Sequence, residues 1–570
     1  MNGKTQRILH FYEQAEQRIA QWRPHFQDCA DFICPRKANI NTTRSPGQMI
    51  GERMFDSTAN HANVVLAASM KGALTSESNL WFGLRARGLE YDAEHEIAVW
   101  FEDCAKTMFD SYRESNFYSE INETYEDLGG MGIGAIFMDE KVPIGQSKFG
   151  GLKFKTLQPG TFAFDENEEG YVDSIFCVYP LSYRAAADAF GEQSLHPSQR
   201  AKLTSNPYDI GKYLHAVMPR QVMYVHPMVK NVHPSRMPFA SYWIDLENGH
   251  PIREGGYRDF PAMVPRWAKS SGENVGRGPG STALPTIKTL NKLIELELRA
   301  LAKMIDPPVK VRDEGVIGAV RLTPGGLTHV RDMESVQTLE IGGRFDVSGS
   351  NKEEMRAMIR RMFFADQLQL QEGPQMTAYE VQVRYELMQR ILGPTLGRLN
   401  VELLNPMTER GFWIHYRRGM FKPMPKALKD VIKQMGMELD IEYEGPLARA
   451  QRLQEGVAMQ RYFQIILPLA ESKPEILDNI DMDFVARYHQ VSTGAPKKLL
   501  VDPKEVKRIR QMRAQADAEK RQQESMLALA KAAQGAAPAL KALGEGAKQG
   551  ILPAPGAAVS TERIGGQTAA

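Results

Sequence analysis

The amino-acid sequence predicts an α+β protein that is mostly helical, and three observations carry that expectation. Residues 272–385 read as two long amphipathic helices around a compact β insert, with a third helix opening after a polar break. Residues 152–266 change to short alternating runs punctuated by Gly, Pro, Asn and Asp, the strand-and-turn signature. The flanks, 5–128 and 447–532, show apolar residues at spacings of three and four, the helical period.

Composition places the chain in a broad class. Its 570 residues correspond to about four domain-sized units, and 42% hydrophobic with 24% charged residues is ordinary for a soluble globular protein. No apolar run approaches the roughly 20 residues that span a bilayer, and Met1 to Lys4 has no signal-peptide character. The expectation is a protein made and used in the cytoplasm, with no membrane partner. Cys29, Cys34, Cys104 and Cys177 have no paired metal-type spacing and read as buried free thiols. With 70 Lys plus Arg against 69 Asp plus Glu, the chain lacks the basic excess of a dedicated high-affinity nucleic-acid binder.

In chain order, Thr5 to Arg23 is predicted as an amphipathic helix on Ile8, Phe11, Tyr12, Ala15, Ile19 and Trp22. Asp56 to Thr75 is a second, capped by Asp56 or Ser57, with a small-residue face built on Ala59, Ala62 and Ser69. His95 to Asp110 and Phe117 to Leu128 follow as helices, and Gly129-Gly130-Met131-Gly132 leads into a strand, Ile133 to Met138. Strands are predicted at 152–157, 162–165, 171–179, 221–228, 239–245 and 263–267, with turns at 166–170 and 247–249 and a short helix over 182–190.

The next helix opens after the loop Gly272 to Gly280, where Ser281 or Thr282 can cap it. It carries Ile287, Leu290, Ile294, Leu298, Leu301 and Ile305 on one face and Lys288, Lys292, Glu295 and Arg299 on the other. At roughly 1.5 Å per residue it spans about 35 Å, and Asp306-Pro307-Pro308 ends it. The β insert has strands at 309–312, 328–331 and 336–341 and a turn at Pro324-Gly325-Gly326. Ser348-Gly349-Ser350 then hands over to a helix from Asn351 to about Leu370. Met355, Ile359, Met362 and Phe363 lie on one side of it, and Lys352, Arg356, Arg360 and Arg361 on the other. The polar break Gln369 to Gln375 contains Gly373-Pro374, and Thr377-Ala378-Tyr379-Glu380 is a capping box. That box starts a helix running towards Arg418, with kinks expected at Gly393-Pro394 and Asn405-Pro406. Pro423 and Pro425 end this region, and Glu438 to Glu444 alternates as a strand. Helices follow at 448–467, 475–490 and 503–529, and beyond Ala533 the Ala, Gly, Pro and Gln composition predicts a disordered tail.

Several patterns resemble chemistry, each with a plainer structural reading. Gly130-Met131-Gly132-Ile133-Gly134-Ala135 is spaced like a dinucleotide fingerprint, but a helix precedes and a strand follows, the reverse of the required context. Gly276 to Thr282 looks like a phosphate loop without its lysine, so a helix-capping turn is the better reading. His226 and His233 have no third ligand at matched spacing, and the acidic turn Asp165, Glu166, Glu168 and Glu169 reads as a solvated hairpin tip. Two basic runs remain, Arg410 to Lys433 and Lys504 to Arg513, for which DNA, an acidic partner and plain solvent are all open.

The order helix, β insert, return helix, polar loop, very long helix resembles the portal, or head-to-tail connector, proteins of short-tailed bacteriophages. The residues that carry the likeness are Phe260 to Trp267, Gly272 to Gly278, Ala283-Leu284-Pro285, Leu290-Asn291-Lys292, Thr377 to Val381, Asp56 to Ala59 and Leu80-Trp81-Phe82. The match runs from about residue 5 to about 515, with Val275 and Gly278 standing where the family often has tyrosine and serine.

The resemblance implies a portal fold with a wing over 1–271, a first stem helix over 272–308, a clip over 309–350 and a second stem helix over 351–368. A tunnel loop at 369–376, a long wing helix and strand over 377–446, crown helices over 447–532 and the tail complete it. It implies a structural protein without catalytic residues, cofactor or metal, assembled as a ring of about twelve copies at one capsid vertex of the virion. The partners implied are capsid and scaffolding proteins, a packaging ATPase (large terminase), tail adaptor proteins, and double-stranded DNA bound without sequence preference. Lys288, Lys292, Arg299, Arg356 and Arg360 are candidates for charge facing the DNA channel. Gln369, Gln371, Glu372 and Gln375 would line the tunnel loop, and Lys310, Arg312 and Arg321 would lie in the clip. A phage DNA-processing enzyme and a ring scaffold unrelated to DNA are the alternatives.

Overall fold

The computed structural model describes residues 3–548 except 43, 44, 46, 79, 87–94, 142–148, 221–228, 230, 231, 313, 321–327, 339–345, 369–392, 427, 430–440, 445, 494–498 and 502. The chain divides into two compact units, Met1–Lys497 and Lys498–Ala570. The predicted strand at 221–228, the turn at Pro324-Gly325-Gly326, the polar break at 369–375, the capping box at 377–380, His226 and Lys433 all lie outside the described residues.

Helix α1 (Gly3–Phe32) is longer than the expected 5–23 and passes through Pro24. Its second half buries Phe26, Cys29, Ala30 and Phe32, and that burial offsets the roughly 3 kcal/mol an interior proline costs a helix. Helix α2 (Thr58–Leu74) starts after Ser57, but the Asp56 carboxylate is what accepts the first N–H, from Thr58 at 2.9 Å. Its small-residue face is buried at Ala59, Ala62, Leu66, Ala67 and Met70 and packs against α4 (Phe117–Met131). Between them come strand β1 (Gly83–Ala86) and helix α3 (His95–Glu114). The strand placed at 133–138 begins later, as β2 (Ile136–Glu140), because Gly129 and Gly130 belong to α4 and Gly132 is its left-handed cap.

Two antiparallel sheets follow. One has the order β3-β2-β9, with β3 at Leu152–Thr156 and β9 at Ala262–Met263; the strand expected over 263–267 shrinks to β9 and a single bridge between Ile133 and Arg266. The other is a five-stranded meander of β4 (Phe162–Glu166), β5 (Val172–Ser182), β6 (Ile210–Pro219), β7 (Phe239–Asp245) and β8 (His250–Tyr257). Neither β6 nor β8 is legible in the sequence. Strand β6 is central and buries Tyr213 to Val217 consecutively, so alternation is lost, while edge strand β8 carries Pro251, Gly255 and Gly256, which read as turn. Helix α5 (Tyr183–Phe190), expected over 182–190, is capped by Ser182, and α6 (Pro197–Ser205) is an addition. Helix α1 lies on β4, with Tyr12 against Phe176 at 6.1 Å between ring centres.

Helix α7 (Pro279–Ile305) and helix α8 (Asp346–Met362) enclose the β insert, built of two strand pairs: β10 (Val309–Val311) with β13 (Val336–Thr338), and β11 (Val316–Ile317) with β12 (His329–Val330). The cap of α7 is Gly278, with Pro279 in the first turn; neither Ser281 nor Thr282 caps it. Helix α8 begins five residues before Asn351, through the Ser348-Gly349-Ser350 stretch expected as a linker, and stops at Met362. Phe364 then turns left-handed, at φ 57°, and α9 (Ala365–Leu368) sets off in a new direction.

The long third helix is described from 393. A π-helical turn, Asn400–Leu404, joins its first part to α10 (Asn405–Arg418), at the Asn405-Pro406 position where the missing proline N–H predicts a disturbance. Strand β14 (Ile441–Glu444) pairs antiparallel with β1. Helix α11 (Pro446–Ser472) is followed by a 3-10 turn at Pro474–Asn479 and by α12 (Met482–Thr493), where one helix over 475–490 was expected. In the second unit, α13 (Pro503–Lys548) continues through the Ala-rich stretch predicted as disordered; alanine is the strongest helix former, which the low hydrophobicity concealed.

Candidate functional site

The α7–α8 hairpin is the part of the chain on which the predicted site residues converge. Its inner half is core: Ala283, Leu284, Ile287, Leu290 and Asn291 of α7 are buried, as are Ile359 and Phe363 at the inner end of α8. Beyond Asn291 the same apolar face emerges into solvent, with Leu298 50%, Leu301 41% and Ile305 84% exposed. Two ion pairs give the hairpin's direction. Arg356 meets the root at Asp56, and Lys352, four residues earlier, pairs with Glu297, six residues outward from Asn291 on α7. The helices therefore run antiparallel, with the β insert at the far end.

The root is a three-residue lock. Asn291 Oδ1 accepts the backbone N–H groups of Phe55 (2.6 Å) and Asp56 (3.0 Å), while its Nδ2 donates to the Ile287 carbonyl at 2.9 Å. Arg356 Nε donates to Asp56 Oδ2 at 2.8 Å. Burial alone would raise the Asp56 carboxyl, but the Thr58 donors and the Arg356 guanidinium hold it below the ordinary range. The stretches 56–59 and 290–292, singled out separately in the sequence, thus meet at one point.

All five candidate channel charges have acidic neighbours. Lys288 pairs with Asp28 of α1 at 2.6 Å, and Arg356 with Asp56 and Glu353. Arg360 pairs with Glu353 and Asp366, while Lys292 and Arg299 share Glu295 at 3.0 and 2.5 Å. Lys292 and Arg299 are the most open, with side chains 60% and 69% exposed. In the β insert, Lys310 stands opposite Gln337, and the Arg312 N–H donates to the Ser335 carbonyl at 3.0 Å. Arg321 and the proposed tunnel residues Gln369, Gln371, Glu372 and Gln375 lie outside the described residues.

The two glycine motifs form one contact. The loop before α7 lies directly on the C-terminus of α4, Trp267 N–H donates to the Gly132 carbonyl at 3.0 Å, and a Cβ on Gly276 would stand 2.5 Å from the Gly132 oxygen. A Cβ on Gly278 would stand 2.7 Å from the Leu128 oxygen, and one on Gly280 would collide with the Gly130 carbonyl. Here glycine is required by close backbone approach, not by a phosphate.

Beside this contact sits Arg266, 1% exposed. Its Nε and Nη2 donate to Glu402, at 3.3 and 2.7 Å, its Nη1 to Glu166 and to the Asn274 carbonyl (3.2 Å), and its Nη2 also to the Gly170 carbonyl (2.9 Å). All five guanidinium N–H groups are thereby used. Lys269 also pairs with Glu166, so that residue of the acidic turn is an ion-pair anchor, while Glu168 and Glu169 at its tip are exposed as expected. Sequence reading missed this cluster. The only available signal was an arginine inside the apolar run Ala262 to Trp267, where a charge must find a partner.

Four cations of the first basic run are also engaged, while Lys426 and Lys429 are exposed. Arg410 is 4% exposed, donates to the Met138 and Asp259 carbonyls and lies over the Tyr257 ring, while Arg417, Arg418 and Lys422 pair with Asp259, Glu140 and Asp103. His233 accepts from Ser235 N–H as a turn cap. Among the described residues no group of three or more His, Cys, Asp or Glu side chains is placed to hold a metal ion, and no helix is long and apolar enough to cross a membrane. The four cysteines are buried and free, their thiols pushed up by burial.

Comparison with known proteins gives a consistent answer. The family model for bacteriophage head to tail connecting protein matches residues 5–500. A probable portal protein of Bordetella phage BPP-1 is 26% identical over 528 residues, covering 90% of this chain and 92% of its own. The portal protein of Salmonella phage epsilon15 is 24% identical over 525 residues, covering 90% and 91%. A chain of the virion of a native gene transfer agent particle overlays at a TM-score of 0.31 with 10% identity, over 72% of this chain and 85% of its own, a likeness too loose to carry an argument.

Proposed function

Since the chain belongs to the bacteriophage head to tail connecting protein family, the phage portal proteins, we propose that it is a structural subunit that closes into a ring at one capsid vertex. Double-stranded genomic DNA is packaged and later ejected through the axis of that ring. A ring of about twelve copies is expected, closed by a head-to-tail contact between neighbours. The observation that carries the reading is the outer half of α7. Leu298, Leu301 and Ile305 continue the buried face of Leu284 and Ile287 into solvent, and an apolar row of that kind marks a surface covered by a partner. A copy on each side would cover it.

The hairpin is then the stem, with Lys292 and Arg299, its most exposed cations, as the channel-facing subset, Lys288 and Arg356 tied to the body and Arg360 tied to Glu353 and Asp366. Charges already paired with carboxylates would hold phosphates only weakly, which suits sliding. The β insert, with Lys310, Arg312 and Arg321, is the clip that receives the packaging ATPase and afterwards the tail adaptors, its short strands open to pairing with neighbouring chains. Gln369, Gln371, Glu372 and Gln375 form the tunnel loop, polar without strong positive charge. Residues 447–532 make the crown.

Negative-stain images of the purified full-length protein test the proposal: rings with an axial hole are expected. Single chains or open filaments at every concentration would overturn it.

A further inference from the structure

Helix α8 ends at an unusual residue. Phe364 has φ 57°, and among the described residues it is the only non-glycine with positive φ. It sits one residue past the helical cap, where helices that end left-handed ordinarily carry glycine. A bulky side chain there is strained, since its Cβ crowds the following carbonyl. The local sequence does not demand the break. From Asn351 to Leu368 there is no glycine or proline, and the apolar spacing of Met355, Ile359, Met362 and Phe363 reads as one continuous helix. The bend is therefore imposed by tertiary contacts. Phe363 and Ala365 are buried, Met362 and Phe364 pack against the core, α9 rests on α2, and Arg360 reaches across the corner to Asp366 at 3.3 Å. Phe363 N–H still donates to the Ile359 carbonyl at 3.1 Å, so the last full turn of α8 is intact up to the corner.

We propose that the α8–α9 corner is a two-state hinge, bent at left-handed Phe364 in one state and a continuous helix through Leu368 in the other. The bent state keeps Ala365 and the Arg360–Asp366 pair in place but holds Phe364 in its strained conformation. The straight state relieves Phe364 and closes the helical hydrogen bonds that the corner interrupts, while exposing the α9 contacts with α2. Ile359 and Phe363, on the body side of the corner, anchor α8 in both. The hinge thus changes the direction in which the chain leaves the α7–α8 hairpin without disturbing the Asn291–Asp56–Arg356 root. The hinge is local to one subunit and does not depend on ring formation.

Spin labels at Glu354→Cys and Gln367→Cys in the full-length protein, diluted into unlabelled chains, read the corner directly. Both positions are exposed and all four native cysteines are buried. Two separations are expected in the parent, the longer near the roughly 20 Å of thirteen helical residues. Phe364→Gly, which removes the left-handed cost, shifts the ratio towards the shorter separation by about 5- to 30-fold. Phe364→Ala keeps that cost while favouring helix, and shifts the ratio towards the longer. A single separation unchanged by either substitution overturns the hinge, as does a longer separation that persists undiminished in Phe364→Gly.

Discussion

Arg266 and Glu402, 136 residues apart in sequence, meet in the interior at 2.7 Å, and the backbone N–H of Arg266 donates to the same carboxylate at 2.9 Å. The side chains are 1% and 8% exposed. This pair ties the loop before α7 to the π-helical turn of the long helix, so both enter the core in one relative position. Removing Glu402 leaves Arg266 buried with Glu166 as its remaining carboxylate partner and with two N–H groups and its backbone N–H unpaired. Glu402→Ala should lower unfolding stability by about 1–3 kcal/mol, read from urea or thermal unfolding. The double variant Arg266→Met with Glu402→Met should recover much of that loss, because a buried ion pair is often replaceable by apolar residues of similar volume.

Gly280→Ala should prevent correct folding, because the added methyl collides with the Gly130 backbone and neither segment can retreat from the core. Gly397→Ala makes a matched control: it lies in a helix with nothing within 4 Å of the new Cβ. It should be neutral or stabilise by about 0.5–1 kcal/mol. Soluble yield and melting temperature distinguish the two.

Stability should fall on mild acidification. His215 is buried, stacked on Trp243 at 4.3 Å and hydrogen-bonded to Ser241. Burial, with Arg253 and Lys155 nearby, brings its pKa down to about 3, well below the ordinary value near 6.5. Its folded pKa lies below the unfolded one, so its contribution is fully present above about pH 6.5 and is lost as pH falls towards 3. Burial lowers His415 in the same direction. Melting temperature against pH should therefore slope down below about 6.5, and His215→Phe should flatten part of that slope.

Leu298→Glu with Leu301→Glu should leave the subunit folded by circular dichroism and cut ring assembly at least tenfold, read by light scattering. Both side chains are already half in solvent in a single chain, so a folding defect is not expected.

Deleting residues 315–326 removes β11, and with it the partner of β12, but leaves β10 and β13 paired. Rings should persist while capture of the packaging ATPase in a pull-down is lost. Undiminished capture would place the docking surface elsewhere.

Much of this architecture is legible from local chemistry alone. The Asp306-Pro307-Pro308 stop, the short helix expected over 182–190, the turns at 166–170 and 247–249 and the inner face of α7 all follow from nearest neighbours in sequence, and each stands where expected. What misled were segments whose environment reverses their local preference. Strand β6 is buried on both faces, and α1 runs on through Pro24 because its far half is core. The alanine-rich end of α13 differs, since there alanine's own helix preference prevails where the composition read as disorder.

The family likeness was carried by short stretches, 56–59, 260–267, 272–278 and 290–292, whose reason for being together is invisible in one dimension. By itself the sequence determined most of the helices and the stretch that forms the hairpin, since helical period, capping and proline stops act within a few residues. Only the tertiary structure decided that the two glycine motifs are halves of one backbone contact, that Arg266 and Glu402 are partners, and that Phe364 is bent against its own helical tendency. Those outcomes depend on groups from about 100 to 300 residues away being desolvated together, and a charge or a Cβ has no fixed energy until its neighbours are known.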